Sequence, residues 1–454
     1  MASENIFNFT ETQNNAFQSY LEGKNIFITG PGGCGKSYFI QNLYKHAIEN
    51  GKKIKVTSMT GCSAILLQCN ATTLHKWGCL GLGRGEEHQI YKNIVKMKRT
   101  YSYIDTDILV IDEVSMLNEK LFETLDYLCK HFRKKLDEPF GGLQLICSGD
   151  FYQLPPICKD KTNIAESNFC FMSKLWEPTF QSDCYIFDKN FRQHEDPEYF
   201  EILQEIREGK ISFSSVEALV NCSIKKVDEN DPIKPTKIYP IRKTVDTINQ
   251  TELKKLSSKK YKYAPKIFHN TTEVMDIGLI QDKTLKSQIE YTIANGMFES
   301  NLELCEGCQV MCISNLDQEK GLINGSQGII QEFVYNVEKN HYYPVIQFDN
   351  IDETVTLEEH SWQIENNNHY TIQQLPLILS WAITTHKSQG LSITKALIDI
   401  GSNIFEYGQT YVALSRVKSL DGLYLTKVNT KKIKAHPGVI KFYNELKKSQ
   451  NIEQ

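Results

Sequence analysis

Residues Gly30–Ser37, which read GPGGCGKS, decide the fold of this chain. Their spacing matches G-x-x-x-x-G-K-[ST], a glycine-rich loop whose backbone N–H groups surround a phosphate. Such a loop joins a buried strand to a helix. Both are visible, because Asn25–Thr29 is apolar and apolar residues recur at helical spacing after Ser37. Lys36 is expected to meet the β- and γ-phosphates, so the stretch predicts a nucleotide site rather than a glycine-rich turn that binds nothing.

The overall composition is that of an ordinary globular protein. The 454 residues are 41% hydrophobic and 23% charged, which suits two to four domains with cores of their own. The formal net charge of −4 shows no basic excess, so any nucleic-acid binding must use local positive surfaces. No run approaches the roughly 18 apolar residues of a membrane span, and we expect no membrane partner.

The N-terminus and the cysteines predict an intracellular protein, nuclear or cytoplasmic. Met1–Asn5 shows neither the basic region of a signal peptide nor an Arg-rich targeting stretch. The 13 cysteines are scattered through ordinary segments, as in proteins that keep their thiols reduced. Cys305 and Cys308 form a C-x-x-C pair without the second pair of ligands that zinc needs, so we expect no zinc.

A second strong motif follows the apolar run Ile108–Ile111, which is typical of a buried parallel strand. Two carboxylates, Asp112 and Glu113, end this strand at the sheet edge where α/β proteins place ligands. Beside a phosphate loop, Asp112 would hold Mg²⁺ through water, and Glu113 would orient and deprotonate the attacking water. The pair turns the prediction from nucleotide binding into nucleotide hydrolysis.

Three further segments leave alternatives open. Gln13 stands at capping-box spacing from Thr10, so its amide either caps the first helix or reads an adenine edge. Gln153 follows the apolar strand Leu145–Asp150 and either senses the γ-phosphate or belongs to a loop held by prolines. Trp77 and its basic neighbours either stack on bases or pack inside a loop.

The predicted elements indicate an α/β protein with two domains built on parallel sheets. Residues 1–187 form the first, and residues 188–308 with 375–454 form the second. Short strands split by Asn-Gly and Asp-Asn turns predict a small β-barrel inserted at 309–374. We expect the Lys-rich C-terminal helix to be a solvated cap.

The order of the motifs resembles the superfamily-one helicases of the RecD-like, Pif-one branch, from about Phe9 to Leu425. No single motif carries the resemblance; the ordered set does. The matching segments are Gly30–Ser37, Asp112–Met116, Glu138–Leu145, Gly149–Pro156, Asn190–Gln193, Gln309–Met311 with Asn324-Gly325, Trp381–Gly390 and Tyr411–Arg416.

The resemblance implies two RecA-like P-loop domains that hold ATP and Mg²⁺ between them. It implies a motor that moves 5′ to 3′ on single-stranded DNA and unwinds duplexes in DNA replication, repair or recombination. Single-stranded and forked DNA would be the partners, and we expect a monomer. Only about eight residues precede the first motif, so we expect a helicase core without regulatory arms.

Roles for individual residues follow from the same resemblance. The implied catalytic residues are Lys36, Asp112, Glu113, Gln153, Arg192 and Arg416. The implied ATP-binding residues are Gln13, Gly30, Pro31, Gly32, Gly33, Cys34, Gly35, Lys36, Ser37 and Gly390. The implied DNA-binding residues are Thr60, Thr73, His75, Trp77, Phe151, His386, Lys387 and Ser388. The implied Mg²⁺ ligands are Ser37 and Asp112.

Two departures from the family pattern stand out. Cys34 replaces a small residue such as Thr, and its side chain should point away from the phosphate. Lys76 and Trp77 replace a commoner Ser-Phe pairing, which bears on the strand-separating wedge that we expect in an insertion at about 73–100. An ATPase that displaces proteins from DNA without separating strands is therefore the alternative function. A binding module without hydrolysis is a third alternative, and the intact Glu113, Arg192 and Arg416 argue against it.

Overall fold

The computed structural model describes most of the chain between residues 7 and 450. Within that range it leaves out residues 68, 82–84, 157–166, 240, 271, 274–279, 281–284, 287–288, 291–292, 294–298, 318–319, 350, 365–366 and 402–403. The short segment 82–84 of the predicted wedge insertion thus lies outside the described residues.

The first part of the chain builds a parallel sheet covered by helices. Its strands are β1 (Ile26–Thr29), β2 (Ile54–Ser58), β3 (Thr72–Thr73), β4 (Ile108–Asp112), β5 (Gln144–Gly149) and β6 (Cys184–Ile186). Its helices are α1 (Glu11–Leu21), α2 (Lys36–Glu49), α3 (Gly61–Leu66), α4 (Leu74–Trp77), α5 (Glu87–Lys96), α6 (Tyr101–Ile104), α7 (Glu119–Arg133) and α8 (Trp176–Phe180). The strand order is β3-β2-β4-β5-β1-β6, and every pairing is parallel.

This sheet explains why the predicted motifs meet. Strands β1, β4 and β5 are almost wholly buried, because helices cover both faces of a parallel sheet. In the register of the ladders, Thr29 pairs with Gly149 and Ser58 pairs with Asp112. The phosphate loop, the two carboxylates and the segment after β5 therefore leave the sheet at one edge.

The chain then begins a second α/β unit. It starts with helices α9 (Pro197–Glu208) and α10 (Phe213–Ile224), strand β7 (Thr236–Tyr239) and helix α11 (Arg242–Lys255). A long antiparallel region separates these elements from the rest of their sheet.

The strands of the antiparallel region are β8 (Tyr261–Tyr263), β9 (Lys266–His269), β10 (Thr272–Glu273), β11 (Leu302–Leu304), β12 (Gln309–Cys312), β13 (Gln327–Asn336), β14 (His341–Phe348), β15 (Val355–Thr356), β16 (His360–Ile364), β17 (Asn367–Gln374) and β18 (Leu377–Leu379). They form a five-stranded sheet, β15-β14-β13-β12-β18, a four-stranded sheet, β10-β9-β17-β16, and the pair β11-β8.

The antiparallel strands exceed the predicted bounds 309–374 at both ends. Strand β9 pairs with β17, and β18 pairs with β12. The sequence of residues 254–262 predicts a Lys-rich surface insertion, whereas β8 begins at Tyr261 and β9 at Lys266. The partner of β9, strand β17, lies about a hundred residues further along the chain. Pairing over such a distance leaves no local pattern, so a prediction made from the sequence placed the start too late.

The second parallel sheet is completed by β19 (Ala382–Thr384), α12 (Thr385–Ser388), β20 (Ala396–Ile400), α13 (Gln409–Leu414) and β21 (Leu423–Val428), and the chain ends with α14 (Pro437–Ser449). The strand order is β19-β7-β20-β21, all parallel. Short 3₁₀ turns occur at Val114–Met116, Pro139–Gly142, Cys170–Met172 and Thr430–Lys432. The α/β class with parallel sheets and an inserted antiparallel β region is thus confirmed.

Helix α14 is the main correction to the expected fold. It follows the second sheet in sequence, yet Val439, Tyr443 and Leu446 belong to the hydrophobic core of the first domain. Phe442 stacks on Phe171 with ring centroids 4.4 Å apart. The predicted solvated cap is therefore wrong, because one apolar face of this Lys-rich helix is buried against the first sheet unit. In the described ranges, no helix combines the length and the apolar character needed to cross a bilayer.

Candidate active site

The phosphate loop adopts a conformation that only glycines permit. Gly33 and Gly35 have φ values of 86° and 84°, in the left-handed region. A Cβ on Gly33 would lie 2.6 Å from the Cβ of Arg192, far inside van der Waals contact. The loop thus lets the segment carrying Arg192 approach its backbone directly.

Lys36 folds back over this loop. Its Nζ donates to the carbonyl oxygens of Gly30, at 2.7 Å, and Pro31, at 2.9 Å, and lies 3.4 Å from the Sγ of Cys34. Cys34 is buried, which agrees with its predicted orientation away from a phosphate. Ser37 is exposed in the first turn of α2. The ammonium group therefore lies against the loop, where two carbonyl oxygens and a sulfur atom accept its hydrogen bonds.

Two arginines face the same loop, one between β6 and α9 and one just after α13. A Cβ on Gly32 would lie 3.5 Å from Nη1 of Arg192 and 3.4 Å from Nη2 of Arg416. Arg192 donates to the carbonyl of Ser415 at 3.0 Å, and Arg416 donates to the carbonyl of Val412 at 2.8 Å. Burial and the neighbouring Arg416 lower the pKa of Arg192 to about 9, and burial also lowers the pKa of Arg416.

Glu113 lies near enough to interact electrostatically with these three cations, but it forms no ion pair with them in the described part of the chain. Among the described residues, no carboxylate forms an ion pair with Lys36, Arg192 or Arg416 within 4.0 Å. Buried positive charge without a partner is costly, so the arrangement favours an anion between the loop and the arginines. A polyphosphate has the charge and the oxygen acceptors to fill that position.

The two carboxylates end β4 as predicted. Asp112 is buried, and burial raises its pKa, while Ser148 and Lys36 oppose the rise. Glu113 has φ 55° and ψ 43°, an uncommon left-handed conformation for a residue with a side chain. Burial, with repulsion from Asp112, raises the pKa of Glu113 to about 7. A carboxylate with a pKa near the working pH is suited to accept a proton from water.

Gln13 fulfils the capping role and also faces the loop. Its Oε1 accepts from the N–H of Thr10 at 2.9 Å, and its own N–H donates to the Thr10 hydroxyl at 3.3 Å. Its Nε2 would lie 2.9 Å from a Cβ on Gly35. The capping box is therefore confirmed, and adenine recognition by the same side chain stays a prediction.

Gln153 lies in the turn after β5 and is buried. Its N–H donates to the carbonyl of Asp150 at 2.9 Å, and its own carbonyl would lie 2.5 Å from a Cβ on Gly408, just before α13. The turn is thus clamped between the two domains. Its role as γ-phosphate sensor stays a prediction.

Several residues predicted to bind DNA are placed differently by the fold. Phe151 is 1% exposed and packs against Phe27 and Trp176, so it cannot stack on a base in this conformation. Trp77 is 4% exposed and lies against Tyr103, with ring centroids 5.0 Å apart. For both residues the structure favours packing, because apolar rings of this size fill the first core.

The remaining residues predicted to bind DNA have mixed surroundings. Thr60 caps α3 by accepting from the N–H of Ser63, Thr73 is buried, and His75 is partly exposed with a pKa lowered by burial. Ser388 is buried, with its hydroxyl on the carbonyl of Thr385, and Lys387 forms an ion pair of 3.5 Å with Glu299. The side chain of His386 lies outside the described part of the chain. Gly390, predicted at the ATP site, is exposed with φ 82°.

Two site residues were missed in the sequence. The N–H of Gly32 donates to the hydroxyl of Tyr411 at 2.9 Å, so this phenol is the hydrogen-bond acceptor for one amide of the phosphate loop. The Oδ1 of Asn190 accepts from the N–H groups of Arg192 and Gln193 at 2.9 and 3.1 Å and shapes the turn that presents Arg192. Both lie inside motifs that carry a predicted arginine, and that proximity was the available signal.

Comparisons with known proteins decide the family. Residues 8–217 match the model of the PIF1-like helicases, and residues 289–333 match the model of the DNA helicase Pif1 2B domain. The crystal structure of Pif1 helicase from Candida albicans is 31% identical, with a TM-score of 0.73 over 97% of this chain and 100% of that chain. This chain belongs to the PIF1-like helicases.

Other PIF1-like helicases agree over nearly the whole chain. The ATP-dependent DNA helicase PIF1 of Emericella nidulans is 32% identical over 96% of this chain and 63% of its own length. The protein of the same name from Xenopus laevis is 31% identical over 97% of this chain and 65% of its own length. The present chain thus spans just under two thirds of these curated relatives. The structure of Bacteroides sp Pif1 in complex with ADP-AlF4 is 26% identical, with a TM-score of 0.79 over 97% of this chain and 98% of that chain.

Proposed function

We propose that the chain is an ATP-driven DNA helicase that moves 5′ to 3′ on single-stranded DNA and unwinds duplexes. One observation carries the proposal: Lys36, Arg192 and Arg416 converge on one phosphate loop without a carboxylate partner among the described residues. The lysine belongs to the first domain and the arginines to the second. An anion bound there bridges the domains, and its cleavage releases the bridge.

The roles in ATP cleavage follow from the positions of the side chains. The loop amides, the N-terminus of α2 and Lys36 bind the phosphates. Arg192 and Arg416 stabilise the negative charge that spreads over the transferring phosphoryl group. Glu113 orients the attacking water and accepts its proton. Binding energy is thereby concentrated where charge develops during the reaction.

The residues at the sheet edge fit Mg²⁺. Ser37 and Asp112 supply oxygen donors, which Mg²⁺ prefers. Ser58, which pairs with Asp112 in the ladder, has a buried hydroxyl without a hydrogen-bond partner in the described part of the chain. We propose that Ser37 and, through water, Asp112 hold the ion. When bound, Mg²⁺ would neutralise phosphate charge.

DNA is the proposed track. Relatives support this: Bacteroides Pif1, 26% identical to this chain, has been crystallised bound to ssDNA. Another Pif1 structure, also 26% identical, concerns the unwinding of forked dsDNA by two coordinating Pif1 helicases. We propose that this chain likewise binds single-stranded and forked DNA, as a monomer and without zinc, inside the nucleus or cytoplasm. Replication, repair and recombination are the processes that supply such substrates.

The test uses purified protein on 5′-tailed, 3′-tailed and forked duplexes, with ATP hydrolysis measured alongside strand separation. We expect hydrolysis to be stimulated by single-stranded DNA and unwinding to require a 5′ tail. Lys36→Ala should abolish both activities. Lys52→Ala, which removes an exposed lysine between α2 and β2, is the matched control and should leave both unchanged. Unwinding from 3′ tails alone would contradict the polarity, and hydrolysis retained by Lys36→Ala would contradict the site.

A second function is favoured by one observation. The resemblance places Thr73 and Trp77 at the strand-separating wedge, yet both are buried, and Trp77 belongs to the first core. An ATPase that displaces proteins from DNA without separating strands needs no wedge. A protein-displacement assay run beside the unwinding assay separates the two: displacement without unwinding would select this second function.

A further inference from the structure

Tyr443, in the middle of α14, contacts three groups that flank the ATP cleft. Its hydroxyl is hydrogen-bonded to the hydroxyl of Thr29, accepts from the N–H of Phe151 at 3.1 Å and lies 3.4 Å from the Oδ1 of Asp150. A phenol has one proton to donate and two lone pairs to accept with. Donation to Asp150 and acceptance from the other two groups therefore use its full capacity, with the ring 1% exposed.

Asp150 is the point where this phenol meets the second domain. Its two oxygens accept from Nε and Nη2 of Arg207, each at 2.9 Å, and the pair is almost completely buried. The guanidinium lies 4.6 Å from the ring of Tyr152 and 5.3 Å from that of Tyr443. Those two rings stack 4.7 Å apart with an angle of 10°. The four side chains form one buried unit, the Tyr443 cluster.

The Tyr443 cluster joins three parts of the molecule that are far apart in sequence. Arg207 is near the end of α9, whose apolar residues pack in the core of the second domain. Tyr443 comes from the C-terminal helix, and Asp150 and Tyr152 come from the turn after β5. Lys447 of α14 also forms an ion pair of 3.1 Å with Glu208 of α9.

Two catalytic segments begin at this cluster. Thr29 is the last residue of β1 and directly precedes the phosphate loop. Asp150 opens the turn that ends at Gln153, and its carbonyl accepts from the N–H of Gln153. The hydroxyl of Tyr443 thus links the end of the strand before the phosphate loop to the turn that presents Gln153.

Stability alone does not account for a unit of this composition. A buried ion pair is often no more stabilising than apolar side chains of the same volume, but its bidentate bonds are directional. Directional bonds are useful where a small displacement of a reactive group is costly. Arg192 precedes α9, so an approach of the second domain towards the loop also moves Arg207 against Asp150.

We propose that Tyr443 is a positioning residue for ATP cleavage: with Asp150 and Arg207 it aligns Gln153 with the phosphate loop when the two domains close. The proposal rests on the ATPase function proposed above. It assigns the C-terminal helix, which no motif marks, to the catalytic machinery of the first domain.

Tyr443→Phe is the direct test, since it removes one hydroxyl and keeps the stacked ring. We expect kcat of DNA-stimulated ATP hydrolysis to fall about tenfold, as for one lost hydrogen bond of ordinary strength, with KM for ATP changed less than about twofold. The matched control is Tyr263→Phe, a buried phenol whose hydroxyl donates to the carbonyl of Tyr342 at 2.9 Å in the antiparallel region. It should lose comparable stability and keep kcat. If Tyr443→Phe keeps the wild-type kcat, the proposal is overturned.

The route through Gln153 is tested by a double-mutant cycle. If Tyr443 acts by aligning Gln153, the double variant Tyr443→Phe/Gln153→Ala should be no slower than Gln153→Ala alone. If the two single losses of kcat multiply in the double variant, Tyr443 does not act through Gln153.

Hydrogen exchange provides a readout that does not depend on turnover. The N–H of Phe151 donates to Tyr443, so its exchange should be at least about tenfold faster in Tyr443→Phe than in the wild type, while the peptides around Tyr263 are unchanged. Unchanged exchange at Phe151 would overturn the proposal. If the wild type itself fails to hydrolyse ATP, the ATPase function falls, and the exchange measurement still decides whether Tyr443 holds this turn.

Discussion

Glu113 combines a proposed catalytic role with a cost in the free energy of unfolding, and a single substitution measures both. The carboxyl follows β4 in a left-handed backbone conformation, with Asp112 beside it. Burial and that neighbour raise its pKa from an ordinary 4.5 to about 7. We expect Glu113→Gln to abolish ATP hydrolysis and, above neutral pH, to stabilise the fold.

The sign and the size of this stabilisation follow from the linkage between proton binding and folding. Between pH 4.5 and 7 the folded protein keeps a proton on Glu113 that the unfolded chain has already released. The free energy of unfolding therefore falls as pH rises through this window. The full shift corresponds to about 3 kcal/mol at most. Glu113→Gln has no carboxyl at this position and therefore lacks this pH dependence. Its free energy of unfolding should equal that of the wild type in acid and exceed it by up to about 3 kcal/mol at high pH.

The assay is urea unfolding of the nucleotide-free protein at several values between about pH 5 and pH 8. Glu49→Gln, which makes the same chemical change at an exposed position on α2, is the matched control and should follow the wild-type pH dependence. The wild-type rate of hydrolysis should rise through pH 7 as Glu113 loses its proton. Parallel stability curves for the wild type and Glu113→Gln would refute the reasoning.

Three other substitutions test the rest of the structure. Arg416→Lys keeps the charge but loses the fork that binds Val412 and Ser415, so steady-state assays should show kcat for ATP lowered about a hundredfold or more; a twofold change would exclude a role in the transition state. Leu446→Ala should lower the free energy of unfolding by about 2–3 kcal/mol in urea, whereas a solvated helix would lose less than about 0.5 kcal/mol. Arg207→Ala removes the ion-pair partner of the buried Asp150 carboxylate, so the free energy of unfolding in urea should fall by about 3–5 kcal/mol. Lys339→Ala, at an exposed ion pair, should lower it by less than about 1 kcal/mol.

The nucleotide site was largely predictable from local sequence. The run Gly30–Ser37 specifies its own backbone, because its glycines permit positive φ and its Lys-Ser pair starts α2. Asp112 and Glu113 follow a continuous apolar strand, and the ends of parallel strands share one sheet edge. Each inference depends on neighbours in sequence or on a general property of parallel sheets. The capping box at Gln13 was visible for the same reason.

The surroundings of the residues predicted to bind DNA were less predictable. Aromatic side chains such as Trp77 and Phe151 have the same local signature whether they stack on a base or fill a core. Only the packed structure distinguishes the two, because burial depends on which helices cover them. The strands at 261–269 were missed for a related reason: a short strand with a distant partner resembles a polar loop.

By itself the sequence determined the strand–loop–helix unit, the carboxylates at the sheet edge and the class of fold, since these depend on local backbone preferences and on hydrophobic period. Only the tertiary structure decided that Arg192 and Arg416 meet at Gly32, that Tyr411 reaches the loop, and that α14 returns to the first domain to place Tyr443 beside Asp150. An amphipathic pattern shows that a helix has an apolar face but not which surface that face covers. That choice follows from the shapes and charges of segments hundreds of residues apart, which meet only in the folded chain.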